Sequence, residues 1–115
     1  MSPEVDQRDD PATIFAALGD PTRLRLVARL AAGEPMSITR LTVGMDITRQ
    51  AITRHLEVLA DAGLVHGSRR GRERLWELDR ARLELARRAI DRISEWWDEK
   101  LAGLKASVEE QSDGE

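Results

Sequence analysis

Leu83, Ala86, Ile90, Ile93, Trp97, Leu101, Leu104 and Val108 recur every three or four residues along the last third of the chain, and no other feature restricts the fold as much. That spacing places all eight on one face of a single α-helix, with Asp79 as its N-cap. A helix of about 30 residues spans roughly 45 Å. A chain of 115 residues folds as one domain with a modest core, too small to cover so long a stripe. The excess length calls for a partner.

Upstream the apolar runs are short and clearly punctuated. Asp10-Pro11 and Asp20-Pro21 each pair an N-cap with a residue that tolerates the first helical position. Ile14, Phe15 and Leu18 form the stripe of the first helix, which Gly19 ends; Leu24, Val27, Leu30 and Ala31 form that of the second, which Gly33 ends. Ser37 caps a third short helix carrying Ile38 and Leu41, with Gly44 as terminator. Thr48 opens a fourth, whose Ile52, Leu56 and Leu59 face the core and whose C-terminal turn falls to Gly63.

From Leu64 the pattern alternates about Arg70-Gly71, with Val65 on one side and Leu75, Trp76 and Leu78 on the other, as in a β-hairpin. The order helix, tight turn, helix, basic hairpin is that of a winged helix-turn-helix. The expected fold is mainly α with a small β-hairpin: four short helices, a two-stranded wing and a long C-terminal helix. The domain is expected over residues 10–109, between flexible tails at 1–9 and 110–115.

A net charge of -3 argues against nucleic acid only if charge is spread evenly, and here it is not. Met1 to Asp20 carries five acids against one arginine, and Ala89 to Glu115 eight acids against three bases. Between Arg40 and Arg74 stand seven arginines against four acids, with Arg69, Arg70, Arg72 and Arg74 at the hairpin tip. With Ile52, Leu56 and Leu59 turned inward, Arg49, Gln50, Thr53, Arg54 and Glu57 share the outward face of the fourth helix. Arg pairs with guanine, Gln with adenine, and Thr offers a hydroxyl or a methyl to a base edge. The hairpin arginines supply phosphate contacts on either side of the groove. The reading is a regulator that binds double-stranded DNA.

Other functions find less support. The absence of cysteine excludes disulfides, thiolate catalysis and cysteine metal sites. No nucleophile with an adjacent base and no phosphate-cradling glycine loop is evident, so no catalytic residue is assigned and the chain is not read as an enzyme. With no signal-peptide core and no apolar run near the roughly 20 residues that span a bilayer, a cytoplasmic location is expected. A winged helix can also dock proteins, but such a surface has no need of four arginines at a wing tip.

The segments GDPTRLRLVARL, ITRQAITRHLEVLADAGLV and GSRRGRERLWEL, in this order and spacing, resemble the corresponding stretches of the ArsR (arsenic-repressor) family. The resemblance runs from about Thr13 to Leu104. It implies a homodimer joined through the first and last helices, with Ile14, Phe15, Leu18, Ile93, Trp96, Trp97, Leu101 and Leu104 at the interface. It implies DNA contacts from Thr48, Arg49, Gln50, Thr53, Arg54 and His55, although His55 beside a core Leu is equally well a packed residue. Repression of an inverted-repeat operator, including the chain's own promoter, follows from the same resemblance.

Many such proteins sense metals through Cys-x-Cys on the third helix, where this chain has Ser37 and Thr39, and hydroxyls are poor ligands for a soft metal. The last helix holds no His, and its Asp91, Glu95, Asp98 and Glu99 read as solvated charges. The chain is therefore placed with the subgroup that lacks the cysteine metal site, and no cofactor is expected. No small-molecule effector can be assigned from the sequence.

Overall fold

The computed structural model describes residues 9–113, with side chains to 110. Helix α1 (Pro11–Leu18) begins where Asp10 accepts from the Ala12 N–H, and α2 (Pro21–Ala31) where Asp20 accepts from the N–H groups of Thr22 and Arg23. Strand β1 is Met36–Ser37, and Ser37 then caps α3 (Ile38–Leu41) by accepting from the Arg40 N–H. Thr48 caps α4 (Arg49–Asp61) through Ala51. Strands β2 (Val65–Arg70) and β3 (Glu73–Leu78) form the hairpin, and α5 (Arg80–Asp113) closes the chain. The short hydroxyl and carboxylate caps satisfy N–H groups that a helix start leaves without partners.

The sheet has three strands in the order β1-β3-β2, all antiparallel. The hairpin is as expected, but β1 adds to the free edge of β3 through Met36 opposite Trp76 and Ser37 opposite Leu75. Two residues are too few for alternation to register in a sequence, so this strand was not anticipated. In the hairpin Arg70 faces Glu73, leaving Gly71-Arg72 as a two-residue loop, and Gly71 has φ +63°, as such loops demand at their first central position.

Ile14, Leu26, Leu41, Ile52, Leu56, Leu59, Leu64, Val65 and Trp76 are the largest fully buried side chains. They join the inner faces of α1 to α4 to one face of the sheet, and Ala86, with Leu83 and Leu85 packed beside it, brings in the first turns of α5. Gly63, at φ +76°, turns the chain out of α4, and the stem of Arg82 packs where its side chain would be. Arg29 Nη1 donates to the Leu41 carbonyl at 2.6 Å, tying α2 to the end of α3.

Two expectations need adjustment. Ile14 has no exposed surface, so it belongs to the core and not to an interface; the period of α1 is right, but its inward edge falls on Ile14 and Ala17. α5 reaches Asp113, so residues 110–113, expected as tail, continue the helix without a break at Gly103. Of the tail expected at 1–9, residues 1–8 lie outside the described residues.

Candidate nucleic-acid interface

Burial of Ile52, Leu56 and Leu59 fixes the roll of α4, and that roll decides what the helix offers outward. Arg49, Gln50, Thr53, Arg54 and Glu57 line one shallow groove along its solvent face, as the periodicity predicts. The groups are not equally free. Thr53 Oγ1 donates to the Arg49 carbonyl at 2.9 Å, committing its proton and leaving its methyl and lone pairs for a partner. Thr48 Oγ1 accepts from Ala51 N at 3.1 Å as the cap, which leaves its hydroxyl proton to donate. Arg49 Nη1 donates to Thr39 Oγ1 at 3.3 Å, so Arg49 leans toward α3.

A second cleft joins this helix to the wing, lined by Ser37, Ile38, Thr39, Arg49, Arg72, Glu73 and Arg74. Here the structure brings the start of α4 together with two of the hairpin arginines, Arg72 and Arg74. Thr39 is a member that sequence reasoning missed, because nothing in the spacing relates it to Arg49.

Arg69, Arg70, Arg72 and Arg74 are all exposed, but they divide between the two faces of the hairpin. Arg69 lies opposite Arg74 and shares its face with Trp76, while Arg70 lies opposite Glu73 on the other face. The Arg74 guanidinium stands 4.3 Å over the Trp76 ring, and only a glycine at 67 leaves room for it to lie there. Arg74 is thus anchored over the indole, while Arg69, Arg70 and Arg72 stand exposed on the wing. The base of the wing is pinned as well. His66 Nε2 donates to Asp79 Oδ2 at 2.7 Å, and Asp79 Oδ1 accepts from Arg82 N at 3.1 Å at the start of α5. These bonds, that from His66 foremost, hold the Asp79 carboxyl below its ordinary range.

His55 is turned away from both clefts. Its ring is half-buried against the start of α2, with Nδ1 3.4 Å from Arg23 Nη1 and 3.8 Å from Asp20 Oδ2. Of the two roles open to it, this is the packed one.

The residues expected at a dimer interface fall into two groups. Phe15 and Leu18 are partly exposed beside the core. On α5, Ile90, Ile93, Trp96, Trp97, Leu101, Leu104 and Val108 are each between 46% and 64% exposed, so among the described residues this far part of the stripe, with Trp96 beside it, is left largely uncovered. Neither tryptophan packs into the core. Trp97 lies on the stripe, while Trp96, one residue and about 100° away, sits under Lys100 Nζ at 5.5 Å. Among the described residues no group of three His, Cys, Asp or Glu is placed to hold a metal ion, and no helix is long and apolar enough to cross a membrane.

The comparisons with known proteins agree with this geometry. Residues 18–67 match the model of a helix-turn-helix domain family. The chain is 33% identical over 103 residues to the HTH-type transcriptional regulator Rv2034 of Mycobacterium tuberculosis, covering 90% of this chain and 92% of that protein. It is 34% identical over 99 residues to the transcriptional repressor SmtB homolog of Synechocystis, covering 83% and 74%. Among solved structures it resembles an ArsR-like transcriptional regulator from Rhodococcus sp. RHA1, with 36% identity, a TM-score of 0.69 and coverage of 83% and 89%. A helix-turn-helix with its wing, matched along nearly its whole length by regulators of this kind, places the chain in the ArsR family of DNA-binding transcriptional regulators.

Proposed function

We propose that the chain acts as a homodimeric repressor that reads an inverted-repeat operator and carries no metal-sensing site. The observation that carries this reading is the exposed stripe of α5, together with the packing of that helix against α1, which bears the partly exposed Phe15 and Leu18. An apolar surface of this length is costly in water, and a two-fold partner offering the same stripe covers it. The two α4 helices then enter successive major grooves about 34 Å apart. Arg49, Gln50, Thr53 and Arg54 face base edges, Thr48 supplies a hydroxyl to the backbone, and Arg69, Arg70, Arg72 and Arg74 give the flanking positive field. Ser37 and Thr39 are engaged as a helix cap and as the partner of Arg49, uses that need no metal. Repression then comes from occupying promoter DNA in the cytoplasm, the protein's own promoter included.

The test is a mobility-shift titration on duplexes selected by the protein from genomic DNA. Two chains should bind per duplex. If the dimer neutralises about eight phosphates, log K falls with log salt at a slope near -7. Neutralising Arg70 and Arg72 should weaken every duplex and flatten that slope, whereas Gln50→Ala should change which sequences are preferred. Binding of one chain per duplex, or a slope near zero, rejects the reading.

A further inference from the structure

The side chains around His55 tie three helices together at one point. Arginine has only donors, so in the 3.4 Å contact with Arg23 Nη1 the part open to His55 Nδ1 is that of acceptor. Arg23 Nε donates to the Ala17 carbonyl at 2.5 Å, in the last turn of α1. The backbone N–H of Arg23 donates to Asp20 Oδ2 at 3.0 Å, and the same oxygen, which caps α2, lies 3.8 Å from His55 Nδ1. The Arg23 backbone N–H is also the chief reason the Asp20 carboxyl is held below its ordinary range. Arg23, in the first turn of α2, thus reaches the end of α1 and the middle of α4 through its guanidinium and the Asp20 cap through its backbone N–H.

Apolar contacts cannot give α4 this definition. Ile52, Leu56 and Leu59 fix which face of α4 is buried, but hydrophobic attraction has no direction and tolerates a small roll or slide. Reading bases does not tolerate it, because a bidentate contact needs both its distances and its angle. A polar contact half-way along α4, anchored to α1 through the Ala17 carbonyl, supplies that direction. We propose that Asp20, Arg23 and His55 form a positioning clamp that sets the angle of the reading helix against α1, and through α1 the half-site spacing that a dimer accepts. His55 is then a positioning residue and not a DNA contact. The proposal rests on the homodimer reading, in which Phe15 and Leu18 of α1 lie at the two-fold seam.

The experiment uses the full chain and the tightest duplex it selects from a randomised pool, remade with its half-sites one and two base pairs closer and further apart. His55→Leu should keep the dimer mass and the thermal midpoint, lose about tenfold in affinity for the selected duplex, and discriminate less among spacings. His55→Asn, which keeps an acceptor near the place of Nδ1, should restore both affinity and discrimination. Arg23→Gln, which leaves the Asp20 cap intact, should repeat the His55→Leu result. The salt slope should not change in any of them, because no phosphate contact is removed. Wild-type discrimination in both His55→Leu and Arg23→Gln overturns the proposal. So does a loss in His55→Leu that is equal at every spacing and lowers the salt slope by about one, the mark of a direct phosphate contact. If the wild-type chain itself selects no duplex or binds as one subunit, the homodimer reading fails first and the clamp with it.

Discussion

Helices α4 and α5 carry the same kind of pattern, apolar residues stepping by three or four, yet they meet water differently. On α4, Ile52, Leu56 and Leu59 have no exposed surface; on α5, Ile93 and Leu104 are 64% exposed. The difference lies in what stands opposite. α4 is enclosed by α1, α2 and α3 and by the start of β2, whereas among the described residues α5 meets the core through Leu83, Leu85 and Ala86 and packs against α1 before it runs clear of the body. Periodicity shows that a face is apolar, and the surrounding chain shows whether that face is satisfied. The charges follow the same division: arginines gather about α4 and the wing, and acids gather along the far part of α5.

The comparison is broken most forcefully inside α4. Leu56→Ala removes a fully buried side chain, and cavities of this kind cost about 2–5 kcal/mol. The denaturant midpoint should fall steeply, and a fall no larger than that of an exposed site would mean α4 is not enclosed as described. On α5 the equivalent damage should leave each chain folded. Leu101→Glu places a charge in an exposed stripe where a lone chain barely registers it, but in a seam it would lie buried without a partner. Sedimentation should show dimers parting at concentrations about a hundredfold higher than for the wild type, equivalent to about 2.7 kcal/mol. The wild-type unfolding midpoint should rise with protein concentration, and that of Leu101→Glu should not. A variant that stays dimeric would move the seam elsewhere.

This contrast also marks how far the sequence could be read. The helix starts at Asp10, Asp20, Ser37, Thr48 and Asp79 were legible because capping is local: one side chain meets an N–H two or three residues on. The inward face of α4 and the hairpin with its Gly71 loop were legible from periodicity and turn chemistry. Ile14 was assigned to the wrong surface because a short apolar stripe does not say which edge turns furthest inward. β1 was too brief to alternate. The contacts of Arg49 with Thr39 and of Arg23 with His55 join residues 10 and 32 positions apart. No local rule reaches that far.

A smaller effect tests the junction where the wing meets α5. Asp79 caps α5 and accepts from His66, so Asp79→Ala should cost about 1 kcal/mol near neutral pH. Because the folded state holds this carboxyl below its ordinary value of 3.8, the contribution is present above that value and is lost as the pH falls through the lower, folded one. Unfolding curves of wild type and Asp79→Ala should therefore converge as the pH drops below about 3.8. A gap that persists in acid would assign the cap's worth to geometry alone.

The smallest change sharpens the comparison at the far end of α5. Gly103 sits inside an unbroken helix, and among the described residues nothing beyond the helix's own nearby backbone comes within 4 Å of where a Cβ would stand. Taken alone, glycine there weakens the helix by about 1 kcal/mol relative to alanine. It stands one residue from Leu104 and so about 100° around the helix from the stripe, toward its flank. Gly103→Ala should therefore raise the thermal midpoint by a few degrees and leave the dimer dissociation constant unchanged. If dissociation became easier instead, the added methyl would be meeting the partner's backbone. The seam would then be wider than the stripe, and this glycine would stand to α5 as Gly63, with Arg82 packed against it, stands to α4.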